Sequence, residues 1–150
     1  MKNYEIKKII GNEKVLEILD KLDFFSEFTH QEKHRIAQCY KHLTIYKANS
    51  CIVMQNDDST SFHILLNGKA IVTKLYEQKT IHNLNPGDIF GEISFLTNSK
   101  RTANVIAVED SMTIEFDNNF LEELGSGIRE KIKDKLILNL IALLDSKNKS

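Results

Sequence analysis

Gly91, Glu92 and Arg101 are the residues of this chain whose types and spacing can support chemistry. They lie in Asn85-Pro86-Gly87-Asp88-Ile89-Phe90-Gly91-Glu92-Ile93-Ser94-Phe95-Leu96, followed closely by Lys100-Arg101-Thr102-Ala103-Asn104-Val105. A glycine ahead of a short helical pattern lets backbone approach a ligand closely, and the first N–H groups of a helix are unsatisfied donors at the positive end of its dipole. Arg101 follows Glu92 by nine residues, where the chain re-enters a strand pattern, and its fork of N–H donors suits an anion held bidentately. The other arginines are Arg35 and Arg129, in a chain that otherwise uses lysine for positive charge, so guanidinium geometry is singled out at this spot. Glu92 is expected to stay ionised beside Arg101 and the helix start, where it can accept hydrogen bonds from a hydroxyl next to the anion. A phosphate beside a ribose hydroxyl satisfies both side chains. The competing structural account is an ion pair between Glu92 and Arg101 with no ligand.

The elements that must position these residues fall into three blocks. The first is helical: Val15, Leu16, Ile18, Leu19 and Leu22 recur at three- and four-residue spacing, followed by Phe24, Phe25 and Phe28 and a second amphipathic piece with Ile36 and Ala37. Thr29 followed by Glu32 predicts a capping box. From Leu43 to Phe116 short β-rich runs follow, at 43–46, 51–54, 62–66, 70–75, 80–84, 103–108 and 112–116, separated by turn residues such as Asn56-Asp57-Asp58-Ser59 and Asn85-Pro86-Gly87-Asp88. Strands at this spacing predict a sandwich, barrel or jelly roll, and Asn67-Gly68 predicts a hairpin with a type I′ turn. The third block is helical again, with Phe120, Leu121 and Leu124, a Gly125-Ser126-Gly127 break, and a helix from Ile128 to about Asp145. Ile128, Ile132, Leu136, Leu140 and Leu144 are spaced four apart, with Ile137 and Ile141 beside them. A frayed tail is expected from Lys147 to Ser150.

Composition excludes several function classes. The chain has 150 residues, 41% hydrophobic and 27% charged, with a formal net charge of −1, which suits one domain with a core of its own. Near-zero charge argues against a nucleic-acid footprint, because such binding depends on clustered Lys and Arg at the phosphates. Cys39 and Cys51 are the two cysteines; without a CxxC pattern they support neither a disulfide framework nor zinc, and both read as buried apolar residues. His30 and His34 share a helix face, yet no His-x-His that a metal-dependent β-barrel would use is present, so His63 and His82 read as ordinary strand residues and no metal is expected. Tyr4, Tyr40, Tyr46 and Tyr76 form no stacking pattern for single-stranded nucleic acid. The start MKNYEIKKII lacks the run and cleavage site of a signal peptide, and no apolar stretch reaches the ~18 residues a membrane span needs, so a cytoplasmic protein is expected. No nucleophile with a base and no metal pair is present, so reversible binding rather than catalysis is expected.

The segment Phe90-Gly91-Glu92-Ile93-Ser94 with Arg101-Thr102-Ala103 resembles the phosphate-binding cassette of cyclic nucleotide-binding domains, the module of catabolite-activator-type regulators, kinase regulatory subunits and gated channels. Gln55 to Val72 resembles the family's acidic loop, strand, glycine turn and next strand, and Phe24-Phe25-Ser26-Glu27-Phe28 its helical entry. The resemblance implies a mainly β fold with flanking α, a jelly-roll β-roll of about eight strands over residues 43–117, with the cassette at 90–103, N-terminal helices over 1–42 and C-terminal helices over 118–150, all in a single domain. It implies that Gly91 and the amides of Ile93 and Ser94 contact phosphate, Glu92 the ribose 2′-hydroxyl, Arg101 the cyclic phosphate and Thr102 the phosphate or base. The sequence departs from the family pattern at Lys100, often proline, at Ser94, and at Ala48-Asn49-Ser50, where glycine is frequent.

The family's last helix serves as a lid on the base, which implies Leu136, Ile137 and Leu140 as base-capping candidates, with Asn139, Asp145 and Ser146 as polar residues near a purine edge. The same apolar stripe suits intrachain packing or, as in catabolite-activator-type relatives, a homodimer seam or an unidentified effector's docking site. The expected function is a non-catalytic signal receptor for a 3′,5′-cyclic nucleotide, cAMP slightly favoured over cGMP, that couples phosphate capture to movement of the C-terminal helix. The alternative is a nucleotide-independent interaction module with a vestigial cassette. The chain ends at Ser150 without a helix-turn-helix segment, so no direct DNA binding is expected.

Overall fold

Apolar spacing in the first block produces two helices that pack on each other and on the β body. In the computed structural model, which describes residues 10–74 and 80–148, α1 (Asn12–Lys21) buries Val15 and Leu19, one turn apart. Helix α2 (His30–Ala37) begins at the expected capping box: the Glu32 amide donates to Thr29 Oγ1 at 3.1 Å, and the Thr29 amide to Glu32 Oε1 at 2.9 Å. Between them the chain makes a 3₁₀ turn at Asp23–Phe25 rather than continuing as α-helix, and Phe24, Phe25 and Phe28 form a cluster with centroids 4.8 to 6.2 Å apart. The starting segment, the strand end at Leu75, and Tyr4 and Tyr76 lie outside the described residues, as does the last part of the tail.

The middle block forms eight strands: β1 (Leu43–Tyr46), β2 (Cys51–Val53), β3 (Phe62–Asn67), β4 (Ala70–Thr73), β5 (His82–Leu84), β6 (Ile89–Phe90), β7 (Asn104–Ala107) and β8 (Ser111–Phe116). They make two four-stranded antiparallel sheets, ordered β1-β8-β3-β6 and β2-β7-β4-β5. Strand β6, two residues long, is too short for alternation to reveal it in the sequence. Helix α3 (Glu92–Thr97) follows β6; α4 (Asn118–Leu124) and α5 (Ser126–Asn148) follow β8.

Strand β3 is buried on both faces, which is why its residues from Phe62 to Leu66, His63 apart, are all apolar. Phe62, Ile64 and Leu66 join Val15, Leu19, Phe25, Ile36, Phe116, Phe120, Ile128 and Ile132 in the core beneath the helices. Leu65, on the opposite face, joins Val53, Ala70, Leu84, Phe90 and Val105 in a second cluster drawn from both sheets. The cassette grows out of this second cluster.

The expected Asn67-Gly68 hairpin is not formed. Strand β3 pairs with β8 and β6, whereas β4 pairs with β5 and β7, so the chain at Gly68 crosses from one sheet to the other. Asn67 stays in β3, and Gly68 alone of the two has positive φ, +97°, whereas a type I′ turn needs it at both. Close backbone approach explains the glycine: a Cβ at Gly68 would lie 2.7 Å from Asp110 O and from Ser111 Cα. The cysteines also differ from expectation, since Cys51 is exposed and Cys39 only half-buried, Cys51 lying near the start of a short strand whose buried residue is Val53. Among the described residues no group of three or more His, Cys, Asp and Glu is arranged to hold a metal ion, and no helix is long and apolar enough to cross a membrane.

Candidate functional site

Strand β6 brings Phe90 into the second cluster, and the chain then turns at Gly91, whose φ of +80° starts α3 in a left-handed conformation that glycine adopts without steric cost. Gly91 has a second reason to be glycine. Its Cβ would lie 2.7 Å from Arg101 Nη1 and 3.2 Å from Ser61 O, so the missing side chain makes room for the guanidinium.

Arg101 is 3% exposed and held from all sides. Its backbone is stapled to the β2–β3 loop, the Arg101 amide donating to Asp57 O and the Asn56 amide to Arg101 O, both at 2.9 Å. Its Nη1 donates to Ser61 O at 2.6 Å and to Gly91 O at 3.0 Å, while Nη2 donates to Ser59 Oγ at 2.8 Å and Ser61 Oγ at 3.2 Å. Its Nε is buried and has no partner. A buried, unpaired N–H on a charged group is costly, and such groups are rare in folded proteins.

A cavity of about 260 Å³ opens beside this arginine. Phe90, Gly91, Glu92, Ile93, Ser94, Arg101, Thr102 and Ala103 all line it. The β strands add an apolar wall, Val53, Val72, Leu84 and Val105, and His82 and Asp88 stand among the other lining residues. Alternation marks such wall residues as inward-facing, but without knowing the sheet pairing it cannot tell that four of them converge on one space.

Of the base-capping candidates, the structure brings none to the cavity wall. Leu136 is 1% exposed and packed in the core with Ile128 and Ile132; Ile137 is exposed; Leu140 is half-buried. Helix α5 contributes Leu143 and, of the three polar candidates, Asn139. The reason is helical geometry: each four-residue step advances about 400°, so a stripe drawn at every fourth residue drifts by about 40° per step. From Ile128 the direction that faces the β body continues through Asn139 and Leu143, whereas Ile137, Ile141 and Leu144 lie on the opposite side and are exposed. Asp145 and Ser146 do not line the cavity. The break before this helix is also shorter than expected: Gly125 alone lies outside helix, with Ser126 and Gly127 already in α5.

Glu92 carries a burial cost that spacing alone does not report. It is buried, and desolvation pushes its pKa up, with its own backbone amide, Arg101 and His82 pulling the other way. No ion pair joins Glu92 to Arg101 among the described residues, which removes the structural ion-pair account. A carboxyl whose charge is costly to bury is stabilised by any donor that enters beside it, and a sugar hydroxyl is such a donor.

His63 sits behind the cassette. Its ring stacks on Phe90 at 4.9 Å, its Nδ1 is buried without a partner, and burial drives its pKa down to about 4, with Glu115 opposing and Arg101 assisting. His42, stacked on Phe120, is also lowered, chiefly by burial. A histidine neutral in the folded state and titrating near ~6.5 when unfolded leaves stability intact above that pH and withdraws it as pH falls toward the folded value, by about 1.4 kcal/mol per pH unit. For His63 the full loss by pH 4 is roughly 3 kcal/mol. Denaturant unfolding at pH 7, 5.5 and 4.5 is expected to show this decline, and His63→Phe, which keeps the stack on Phe90, is expected to flatten it; equal pH dependence in both proteins would remove His63 as the cause.

A two-sheet antiparallel roll with a buried arginine, a positive-φ glycine and a polar-ended cavity between the sheets and α5 has the form of a small-ligand site. The model of the cyclic nucleotide-binding domain matches residues 43–126, more than half of the chain, and the chain belongs to that family. It is 27% identical over 123 residues to a cAMP-dependent protein kinase regulatory subunit of Dictyostelium discoideum, covering 78% of this chain and 37% of that protein. It is 31% identical over 100 residues to the cGMP-dependent protein kinase isozyme 1 of Drosophila melanogaster, covering 61% of this chain and 13% of that one. Among solved structures, cAMP-bound PfPKA-R superposes with a TM-score of 0.68 at 23% identity over 91% of this chain and 47% of that one, a likeness of fold. The chain thus spans less than half the length of these relatives.

Proposed function

We propose that this chain is a non-catalytic receptor for a 3′,5′-cyclic nucleotide, cAMP slightly favoured over cGMP, acting as a regulatory module in signal transduction. One observation carries the reading: the buried Nε–H of Arg101 lacks a partner beside a cavity whose rim supplies Gly91, Glu92 and Ser94. An anion there gives the guanidinium its missing acceptor in a site of low dielectric, where charge-assisted bonds are strongest. The start of α3 aims backbone amides at the same place, and Glu92 is positioned for a sugar hydroxyl. The cavity volume lies near the lower end of the ~300–1,000 Å³ usual for small-ligand sites, which suits one compact ligand with its base under Asn139 and Leu143. An asparagine amide matches the paired donor and acceptor of an adenine edge.

Coupling to the C-terminal helix is supported by how the hinge is held. Arg35 Nη2 donates to Glu123 O at 2.5 Å just before Gly125, and Lys131 Nζ bonds Glu32 Oε1 at 2.5 Å just after it. A ligand that contacts Asn139 and Leu143 bears on the far end of the same helix, so binding shifts its docking and the exposed line Ile137, Ile141 and Leu144, the face proposed for a homodimer or an effector protein.

A second reading is favoured by one fact: both Nη atoms of Arg101 already have protein acceptors, as in an interaction module that signals without nucleotide. Calorimetric titration with cAMP, cGMP and linear 5′-AMP, with sedimentation velocity in each state, separates the two. Micromolar or tighter binding of a cyclic nucleotide, and none of the linear one, is expected. Silence with all three in a folded, nucleotide-free protein leaves the interaction module.

A further inference from the structure

Arg101 is oriented by a hydroxyl that cannot orient itself. Ser61 precedes β3 and grips the guanidinium twice, through its carbonyl to Nη1 at 2.6 Å and its Oγ to Nη2 at 3.2 Å. A serine hydroxyl has one proton and two lone pairs, and its rotor settles wherever the proton finds an acceptor. Here the acceptor is Glu115 on β8: Ser61 Oγ donates to Glu115 Oε2 at 2.5 Å. With the proton committed to the carboxylate, the lone pairs turn to the guanidinium. His63, the direct cross-strand partner of Glu115, also approaches it, its Nε2 lying 3.4 Å from the same oxygen. His63 in turn pairs with and stacks on Phe90, the residue before Gly91, so the chain of contacts closes on the cassette.

We propose that Ser61 and Glu115 are positioning residues for the nucleotide phosphate, acting through Arg101: Glu115 takes the hydroxyl proton of Ser61, and the hydroxyl so turned holds the guanidinium with its Nε–H directed at the ligand. This inference rests on the cyclic-nucleotide reading above. Neither residue lines the cavity, so neither touches ligand, and their effect must appear as looser aim of the arginine. Glu115 is half-exposed, its side chain 47% accessible, and its replacement leaves the core untouched.

The test measures affinity for cAMP and for its two phosphorothioate diastereomers, in which sulfur, a poor acceptor, replaces one or the other exocyclic oxygen. Ser61→Ala and Glu115→Ala are each expected to weaken cAMP binding by about tenfold, the scale of one hydrogen bond, and the double variant to be little worse than either. Glu115→Gln, which still accepts the hydroxyl proton, is expected to recover most of the loss. The preference between diastereomers should shrink in both alanine variants, because it depends on which oxygen the guanidinium faces. A structural weakening would lower both affinities alike and leave the ratio, and that result overturns the positioning role. So does a wild type that binds cAMP while both alanine variants keep its affinity. A wild type that binds no cyclic nucleotide overturns the receptor reading itself, and this role with it.

Discussion

Arg101→Ala is expected to lower affinity for a cyclic nucleotide by at least about a hundredfold, the equivalent of roughly 2.7 kcal/mol. Charge-assisted hydrogen bonds contribute about 1.5–3 kcal/mol each, and the other contacts proposed for the phosphate come from neutral groups, backbone amides and the Thr102 hydroxyl. The same substitution costs stability, since Ser61 O, Gly91 O and the hydroxyls of Ser59 and Ser61 lose the donor they share. Gly91 O keeps the Phe95 amide at 3.3 Å, but the buried Ser61 carbonyl loses its donor, which costs about 1–3 kcal/mol, a fall in Tm of roughly 2–10 °C for a domain of this size. The binding loss must therefore be read on protein shown to be folded by circular dichroism at the titration temperature. Arg101→Lys supplies the control: an ammonium keeps the charge but cannot span two carbonyls and two hydroxyls, so it should bind weakly and melt early. A folded Arg101→Ala protein that binds within threefold of wild type would take the arginine, and with it the phosphate, out of the mechanism.

How much of this site was legible in the sequence depends on whether a feature is local. Gly91, Glu92 and Arg101 stand within one loop-helix-loop segment, and glycine ahead of a helix and an isolated arginine are signals that need no tertiary context. The capping box at Thr29 and Glu32 was legible for the same reason. What was not legible is what pairing and packing decide. The upward push on the Glu92 pKa comes from desolvation, which no spacing reports. Ser61, His63 and Glu115 are adjacent only because β3 pairs with β8, so nothing in their spacing connects them with Arg101. The α5 residues illustrate a third case: Asn139 stands out by its polarity, but Leu143 follows only from the 3.6-residue period once Ile128, Ile132 and Leu136 are known to face the core, and a stripe counted in fours leads instead to Leu140 and Leu144.

Gly68→Ala is expected to destabilise the fold by more than about 3 kcal/mol, a drop in Tm near 10 °C. Two costs add. A φ of +97° is a conformation that a residue with a Cβ adopts only under strain, at about 1–2 kcal/mol. The new methyl would also meet backbone: it would lie 2.7 Å from Asp110 O and Ser111 Cα and would crowd Ser111 Oγ. Flexible side chains can move aside from such a contact, but these atoms belong to the turn between β7 and β8, and β8 is the strand that holds both β1 and β3. Relief would have to come from shifting the crossover itself, where Lys69 O accepts hydrogen bonds from the Val108 amide and Ser111 Oγ. A hairpin turn at Asn67-Gly68 would behave differently, because its glycine would face solvent and alanine there would incur only the backbone strain. Chemical denaturation of Gly68→Ala therefore distinguishes the two chain paths: a loss near 1 kcal/mol fits the hairpin, and a loss above 3 kcal/mol fits a crossover wedged against β8. Since Ser111 opens the strand that carries Glu115 toward the arginine, the same variant should also weaken nucleotide binding at temperatures where it remains folded.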